Sequence, residues 1–411
     1  MKRQPTLLLL SQFFPPDPTS VGQHMADVAL EMARRGYRVI VYCANRGYED
    51  PSVRFAAREE RDGIEIRRLP FSSFGKSSIR ARLIGGLSFV VQCILRGMWI
   101  RRDMILVSTS PPFTAIAALV LGWSRRTGVG FWVMDLNPDQ ALALGVARPG
   151  SLSVRLFETL NRLILARADR IVALDRFMAE RLRAKRASID ARMETFPPWP
   201  HDDHLDSIPH AKNSFRAEQG WQERFVFMFS GNLSIASPAD TLMEAALRVQ
   251  DDERALFAFI GGGLGRIRLG EFIERYGPRN IVTLPYQPLE TLGNSLSAAD
   301  VHLVTMGDDM AGIIHPSKVY GAMSVGRPVL FLGPSPSHVT DILEEFQIGW
   351  HVRHGDVDGA ERIIREILAL APEELRARGE RARRAVRERF SRELLAGRFG
   401  DVMEATVTAR S

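Results

Sequence analysis

The sequence predicts an α/β fold of two doubly wound, Rossmann-like domains facing each other across a cleft. Three observations carry that expectation. The chain has 411 residues, too many for one ordinary core. Short β-rich runs alternate with longer helical stretches, the signature of parallel sheets covered on both faces. The alternation breaks once, at Phe196-Pro197-Pro198-Trp199-Pro200 and the polar stretch 201–206, and then starts again.

In the first half the expected strands are 6–11, 38–43, 64–69, 103–108, 130–135 and 170–174, with a helix over 22–35. In the second they are 225–230, 255–260, 280–284, 301–304 and 329–332, with helices at 238–248 and 316–324. This layout divides the chain into an N-terminal domain at 1–200, a C-terminal domain at 201–385 and a terminal helix at 386–411 that packs back toward the first domain. From Pro372 onward Arg, Glu and Ala recur at helical spacing, which reads as a solvated helix.

Composition is that of a globular protein, 45% hydrophobic and 25% charged. Two isolated cysteines, Cys43 and Cys93, are too few for a disulfide framework or a zinc site, so a reducing, cytoplasmic compartment is expected. Leu7 to Leu10 is shorter than a signal-peptide core and reads as a first strand, and no run is long enough to span a bilayer. The net charge is +6, yet eight basic and no acidic residues lie between Arg67 and Arg102; without them the balance is negative. So local a basicity points to one anionic surface partner rather than to nucleic acid.

The motifs sit where doubly wound sheets bind ligands, at the carboxyl ends of strands. Phe229-Ser230-Gly231-Asn232 ends a strand, and Ser237-Pro238 is placed to cap and open a helix, a geometry suited to phosphate. In His315-Pro316-Ser317-Lys318, Pro316 opens a helix and Lys318 falls in its first turn. A cation there opposes the helix dipole unless an anion shares the site. Gly261-Gly262-Gly263 follows a strand without completing a dinucleotide fingerprint, since Arg266 stands where its third glycine would fall. Gly262, Gly263 and Tyr286 join Gly231, Asn232, Pro316, Ser317 and Lys318 as the expected phosphate-ligand set. In the first half, the loop holding Pro16, Gly22 and His24 and the strand end Asp135-Leu136-Asn137 are candidates for acceptor binding, with His24 and Asp135 as catalytic candidates. Asp356-Val357-Asp358 precedes a helix and reads as its cap, so no metal is expected.

Residues 79–99 are apolar on most faces, with a narrow polar stripe of Gly85, Ser88, Gln92 and Arg96. Such a segment suits the headgroup region of a membrane, with Arg80, Arg82, Arg101 and Arg102 as lipid contacts; a buried core helix is the competing reading.

In this order the motifs resemble the GT-B fold glycosyltransferases of family 4, in particular bacterial enzymes that build surface polysaccharides on lipid-linked acceptors. The likeness rests on Phe13-Phe14-Pro15-Pro16-Asp17 with Gly22, on Arg35-Gly36-Tyr37-Arg38-Val39, on the Ala-Asp pairs at 168–169 and 299–300, on Ser230-Gly231-Asn232, and on Gly326-Arg327-Pro328-Val329. The resemblance implies retaining, metal-independent transfer of a hexosyl or N-acetylhexosaminyl group from a nucleoside diphosphate-sugar, with no cofactor, on the inner face of the membrane. One departure stands out: the family's Glu-x7-Glu pair would fall near Ile313 and Gly321, and neither is acidic. A nucleotide-sugar epimerase of the same fold and a non-catalytic nucleotide-sugar-binding partner are the alternatives.

Overall fold

The computed structural model describes residues 3–408, except 18, 48–49, 76–78, 112 and 201–205 and the side chains of Ile79, Arg80, Leu289 and Thr408. The chain forms two compact units. One comprises Met1–Pro198, Gly312–Ile314 and Arg392–Ser411; the other comprises Trp199–Ala311 and His315–Ser391.

The sheet of the first unit contains β1 (Thr6–Leu10), β2 (Arg38–Ala44), β3 (Arg58–Arg61), β4 (Ile64–Leu69), β5 (Met104–Ser108), β6 (Gly128–Trp132), β7 (Arg170–Ala173) and β8 (Met193–Thr195). Their order is β3-β4-β2-β1-β5-β6-β7-β8, parallel throughout except for the antiparallel β3–β4 pair. The second unit holds β9 (Phe225–Asn232), β10 (Ala255–Gly262), β11 (Ile281–Leu284), β12 (Val301–Thr305), β13 (Val329–Leu332) and β14 (Gly349–Val352), in the order β11-β10-β9-β12-β13-β14. Both orders reverse direction once, between β1 and β5 and between β9 and β12, and a crevice opens at such a switch point.

The central strands are apolar on both faces because helices cover both, and β1, β5, β6, β12 and β13 are buried from end to end. Phe227 of β9 and Phe257 of β10 stack at 4.8 Å in the core of the second unit. Aspartates at strand starts lock neighbours into register. Asp169 accepts from the Val129 N–H and Asp300 from that of Val226, each at 2.8 Å, while their own N–H groups donate to Val129 and Val226 carbonyls. The Ala-Asp motifs are thus explained by backbone bracing. Asp103 braces Thr6 in the same way.

The helix Arg392–Thr408 lies on β6, where glycines permit the approach. A Cβ at Gly128 would meet the Thr406 carbonyl oxygen at 2.5 Å, and Trp132 packs on Phe399 at 4.4 Å. Among the described residues, no helix is long and apolar enough to cross a membrane.

Several local readings need correction. The helix expected at 238 begins at Asp240, with Ala239 at its N-cap, so Ser237 does not cap it. His24 is not on a loop: the helix Ser20–Arg34 starts early, with Thr19 as cap, and the imidazole is buried in it. Strands β3 and β14 lie outside the expected set, as does β8.

Candidate functional site

In the second unit the site is built from two glycine turns and one lysine. β9 and β10 run in parallel with Gly231 opposite Gly261 and Asn232 opposite Gly262, so both turns reach the same level of the sheet edge. Gly231 and Gly261 have φ of 125° and 130°, which side-chain-bearing residues rarely adopt. Space forbids substitution as well. A Cβ at Gly261 would lie 2.0 Å from the Gly231 carbonyl oxygen, and one at Gly263 would lie 2.1 Å from Asn232 Oδ1. The turns are tied by Leu233 N–H donating to the Gly262 carbonyl at 2.7 Å, and Arg266 holds the Gly261 carbonyl at 2.8 Å. The residue that breaks the dinucleotide fingerprint therefore braces this loop.

Lys318 is the first residue of the short helix Lys318–Ser324; Pro316 and Ser317 lie just before it, and Ser317 makes no side-chain capping bond. Its side chain runs directly over Gly231, where an added Cβ would be 2.9 Å from Cε and 3.3 Å from Nζ. The ammonium also lies 5.2 Å from the centre of the Phe229 ring. Burial lowers its pKa to about 8, and no carboxylate among the described residues pairs with it. His315 and Tyr320 bracket the turn, joined by a 2.8 Å hydrogen bond. Tyr286, an exposed ring, stands over Gly262, whose Cβ would meet Cε2 at 2.9 Å. All eight residues assigned to the donor set thus line one edge of the second sheet. Asp356, by contrast, caps its helix by accepting from Gly359 N–H at 2.9 Å, and Asp358 pairs with Arg248.

In the first unit, His24 is buried: its Nδ1 bonds the Ser20 carbonyl at 2.8 Å, and its ring meets Trp132 edge-on at 5.9 Å. A carbonyl partner requires that Nδ1 carry the proton. Gly22 lets this helix press on the Phe13–Phe14 backbone, with a Cβ at 3.1 Å from Phe14 N. Pro16 is exposed in the preceding turn. Asp135 follows β6, its N–H held by Thr109 Oγ1 at 3.1 Å, and burial pushes its carboxyl up to about 6. Near these strand ends is a cavity of about 370 Å³, lined by Gln12, Phe74, Arg82, Phe113, Asn137 and Phe157 among others. Sequence reasoning had picked out Arg82 and Asn137 but not the aromatic walls.

The apolar helix Ile79–Gly97 buries Phe89, Val90 and Cys93 yet keeps a second apolar stripe outside, and of its polar stripe only Arg96 is exposed. Gly85 is buried, Ser88 and Gln92 are half-buried, and Gln92 donates to the Pro70 carbonyl at 2.6 Å. Leu83, Leu87, Val91 and Leu95 face outward, continued by Met98 and Trp99. Arg101 is exposed. Arg102 is not available for lipid: it is 5% exposed and donates to the carbonyls of Gly97, Ile100 and Leu121 and to Ser124. The side chain of Arg80 lies outside the described residues.

The profile of the family "Glycosyl transferase 4-like domain" matches residues 19–199, and that of "Glycosyl transferases group 1" matches residues 211–385. The chain belongs to the GT-B, family 4-like glycosyltransferases. This glycosyltransferase is 25% identical to the Pseudomonas aeruginosa protein named "Probable glycosyltransferase WbjE", over 89% of this chain and 90% of that one. It is 24% identical to WcaI of Escherichia coli (strain K12), which is named for colanic acid biosynthesis, over 81% and 84% of the two chains. In fold it is similar to Anabaena HepE, solved with UDP and glucose, at a TM-score of 0.71 and 13% identity over 97% of this chain and 99% of that one.

Proposed function

We propose that this glycosyltransferase moves a hexosyl or N-acetylhexosaminyl group, with retention, from a nucleoside diphosphate-sugar to a lipid-linked glycan in surface polysaccharide biosynthesis. One observation carries the donor assignment: a half-buried ammonium, Lys318, lies over a backbone turn that only glycine can form, with no carboxylate to neutralise it among the described residues. A diphosphate supplies the missing charge, and Lys is a good point-charge partner for it. The relatives' names and the UDP held by HepE agree with that choice.

In this reading the bond between the anomeric carbon and the diphosphate oxygen breaks, and the acceptor oxygen takes its place on the same face. Lys318 and the N–H groups near Gly231 stabilise the charge that collects on the leaving diphosphate, a role that calls for no metal or cofactor. Tyr286, with Gly262 and Gly263, receives the nucleoside. The acceptor binds the first unit, where Asp135, ionised at neutral pH, takes up the proton of the acceptor hydroxyl and His24 supports the wall behind it. The outward apolar stripe and the arginines at 82 and 101 seat the enzyme peripherally on the cytoplasmic face of the membrane.

The test uses thermal-shift titration with nucleotide sugars, followed by turnover with a lipid fraction. UDP-sugars should raise the Tm, because a ligand bound only by the folded state stabilises it. Lys318→Ala should weaken that shift and cut transfer by roughly 10²–10³-fold, the usual scale for removing a charge-stabilising donor. Unchanged affinity and turnover would refute the phosphate role. Conversion of the donor without any acceptor would instead identify an epimerase, and binding without turnover a partner protein.

A further inference from the structure

On one face of the edge β3-β4-β2 lies a cavity of about 690 Å³ whose lining includes six arginines and no acidic residue. Strand alternation explains the concentration. Arg38 and Tyr42 of β2 share a face; Tyr42 stands beside Arg67 of β4, and Arg67 stands directly opposite Arg58 of β3. The last turn of the helix Ile79–Gly97 and the residues after it add Arg96, Trp99 and Arg101 as a wall.

Carboxylates do not balance this charge. Arg38 and Arg67 share Glu65, at 2.9 and 2.6 Å, and Arg68 pairs with Glu59 at 2.7 Å, while no carboxylate among the described residues pairs with Arg58, Arg96 or Arg101. Like charges directly opposite in an antiparallel pair are destabilising, so the Arg58–Arg67 arrangement makes physical sense when an anion lies between the guanidinium groups. Arginine's planar fork suits a phosphate. What distinguishes a lipid from a free anion is the rim: Trp99, 88% exposed, lines the cavity and continues directly into the apolar stripe of Leu95, Val91 and Leu87.

We infer that this cavity holds the headgroup phosphate of an anionic phospholipid, whose acyl chains lie along Trp99 and the outward stripe. The site is separate from both the donor set and the cavity at Asn137, and it rests on the peripheral-membrane part of the function proposed above. It converts a diffuse basic patch into a specific seat that would fix how the enzyme is oriented on the bilayer.

Vesicle flotation tests it, with phosphatidylcholine alone and with added phosphatidylglycerol. The triple variant Arg58→Ser/Arg96→Ser/Arg101→Ser removes exposed side chains that no described carboxylate holds. At about fivefold per basic residue near an anionic surface, it should lose about 100-fold in partitioning onto phosphatidylglycerol vesicles. The charge-matched variant Arg279→Ser/Arg384→Ser/Arg387→Ser, in the second unit, should lose only a few-fold, and donor-induced thermal shifts should persist in both. Equal losses in the two variants, or none in the first, would overturn the cavity while leaving the membrane seat standing. Failure of the wild-type protein to float with phosphatidylglycerol would overturn both. Stabilisation by glycerol phosphate or inorganic phosphate, with flotation of the triple variant unchanged, would assign the cavity to a soluble anion instead.

Discussion

Arg102 and Lys318 are cations turned inward in different units, and they are held in opposite ways. Arg102 gives hydrogen bonds to three carbonyls and a hydroxyl at the junction of two helices. Lys318 rests on a glycine turn and the face of Phe229. Burial lowers both, Arg102 to about 10 and Lys318 to about 8. A buried cation whose two terminal nitrogens are taken up by carbonyls and a hydroxyl is a clamp, while one without an anion is poised for a ligand. Position in sequence does not separate the two roles, because each stands at the threshold of a strand or helix; their partners do.

Three measurements would sharpen or break that contrast. The largest effect belongs to Arg102→Ala, which removes one donor from each of three carbonyls. It should cost about 3 kcal/mol in urea denaturation and leave nucleotide-sugar affinity untouched. Loss of affinity at full stability would invert the assignment.

Next comes the pH dependence created by Lys318. Its folded value of about 8 lies below the ordinary 10.5, so across that interval the unfolded chain holds the proton more tightly. Stability of the ligand-free enzyme should therefore rise as pH climbs from about 8 to about 10, by about 2 kcal/mol after allowance for partial exposure. Lys318→Met should abolish the rise, as denaturant midpoints at the two pH values would reveal. A wild-type curve that is flat there would mean the ammonium is better solvated than its enclosure implies.

Asp135 supplies an effect no larger, with the opposite charge. Its folded value of about 6 exceeds the ordinary 3.8, so its contribution to stability is full below about pH 4 and is lost as pH rises through about 6. Asp135→Asn should match the wild type in Tm near pH 4 and exceed it near pH 7, by about 2 kcal/mol. Transfer should fall, since the amide cannot accept the proton. A variant that is more stable and equally active would remove Asp135 from the chemistry.

Much of the fold was legible because parallel strands buried on both faces are continuous apolar runs, as in Leu7 to Leu10 or Val329 to Leu332. The glycine turns of the proposed donor site were legible because Gly231, Gly261 and Gly263 mark backbone conformations that other residues avoid. Their meeting with Lys318 was expected from the order of the motifs rather than from any local pattern, and it depends on β9 and β12 being neighbours. Strand β3 was missed because Arg58-Glu59-Glu60-Arg61 has no apolar face and is held only by its antiparallel partner. The helix over 79–97 was read correctly as a helix with a polar stripe, yet periodicity cannot say which side faces the protein. Gln92 decides it, by reaching the Pro70 carbonyl. The buried place of His24 turned on Thr19, whose side chain caps the helix against Gly22 N–H and moves its start ahead of the histidine. The return of residues 312–314 to the first unit left no trace in composition; there Gly312, at φ 71°, fits against the Phe177 backbone and Ile313 is buried.

The closing helix on β6 has a consequence for anyone wishing to recombine this enzyme with its relatives. Because Gly128, Gly130 and Trp132 are shaped to accept Thr406, Met403 and Phe399, a fragment ending at Pro198 would leave an aromatic floor open to water. A graft of one half onto another scaffold must respect four splice points, after residues 198, 311, 314 and 391. On the proposed function, donor preference is therefore easier to exchange by point changes around the glycine turns than by swapping halves.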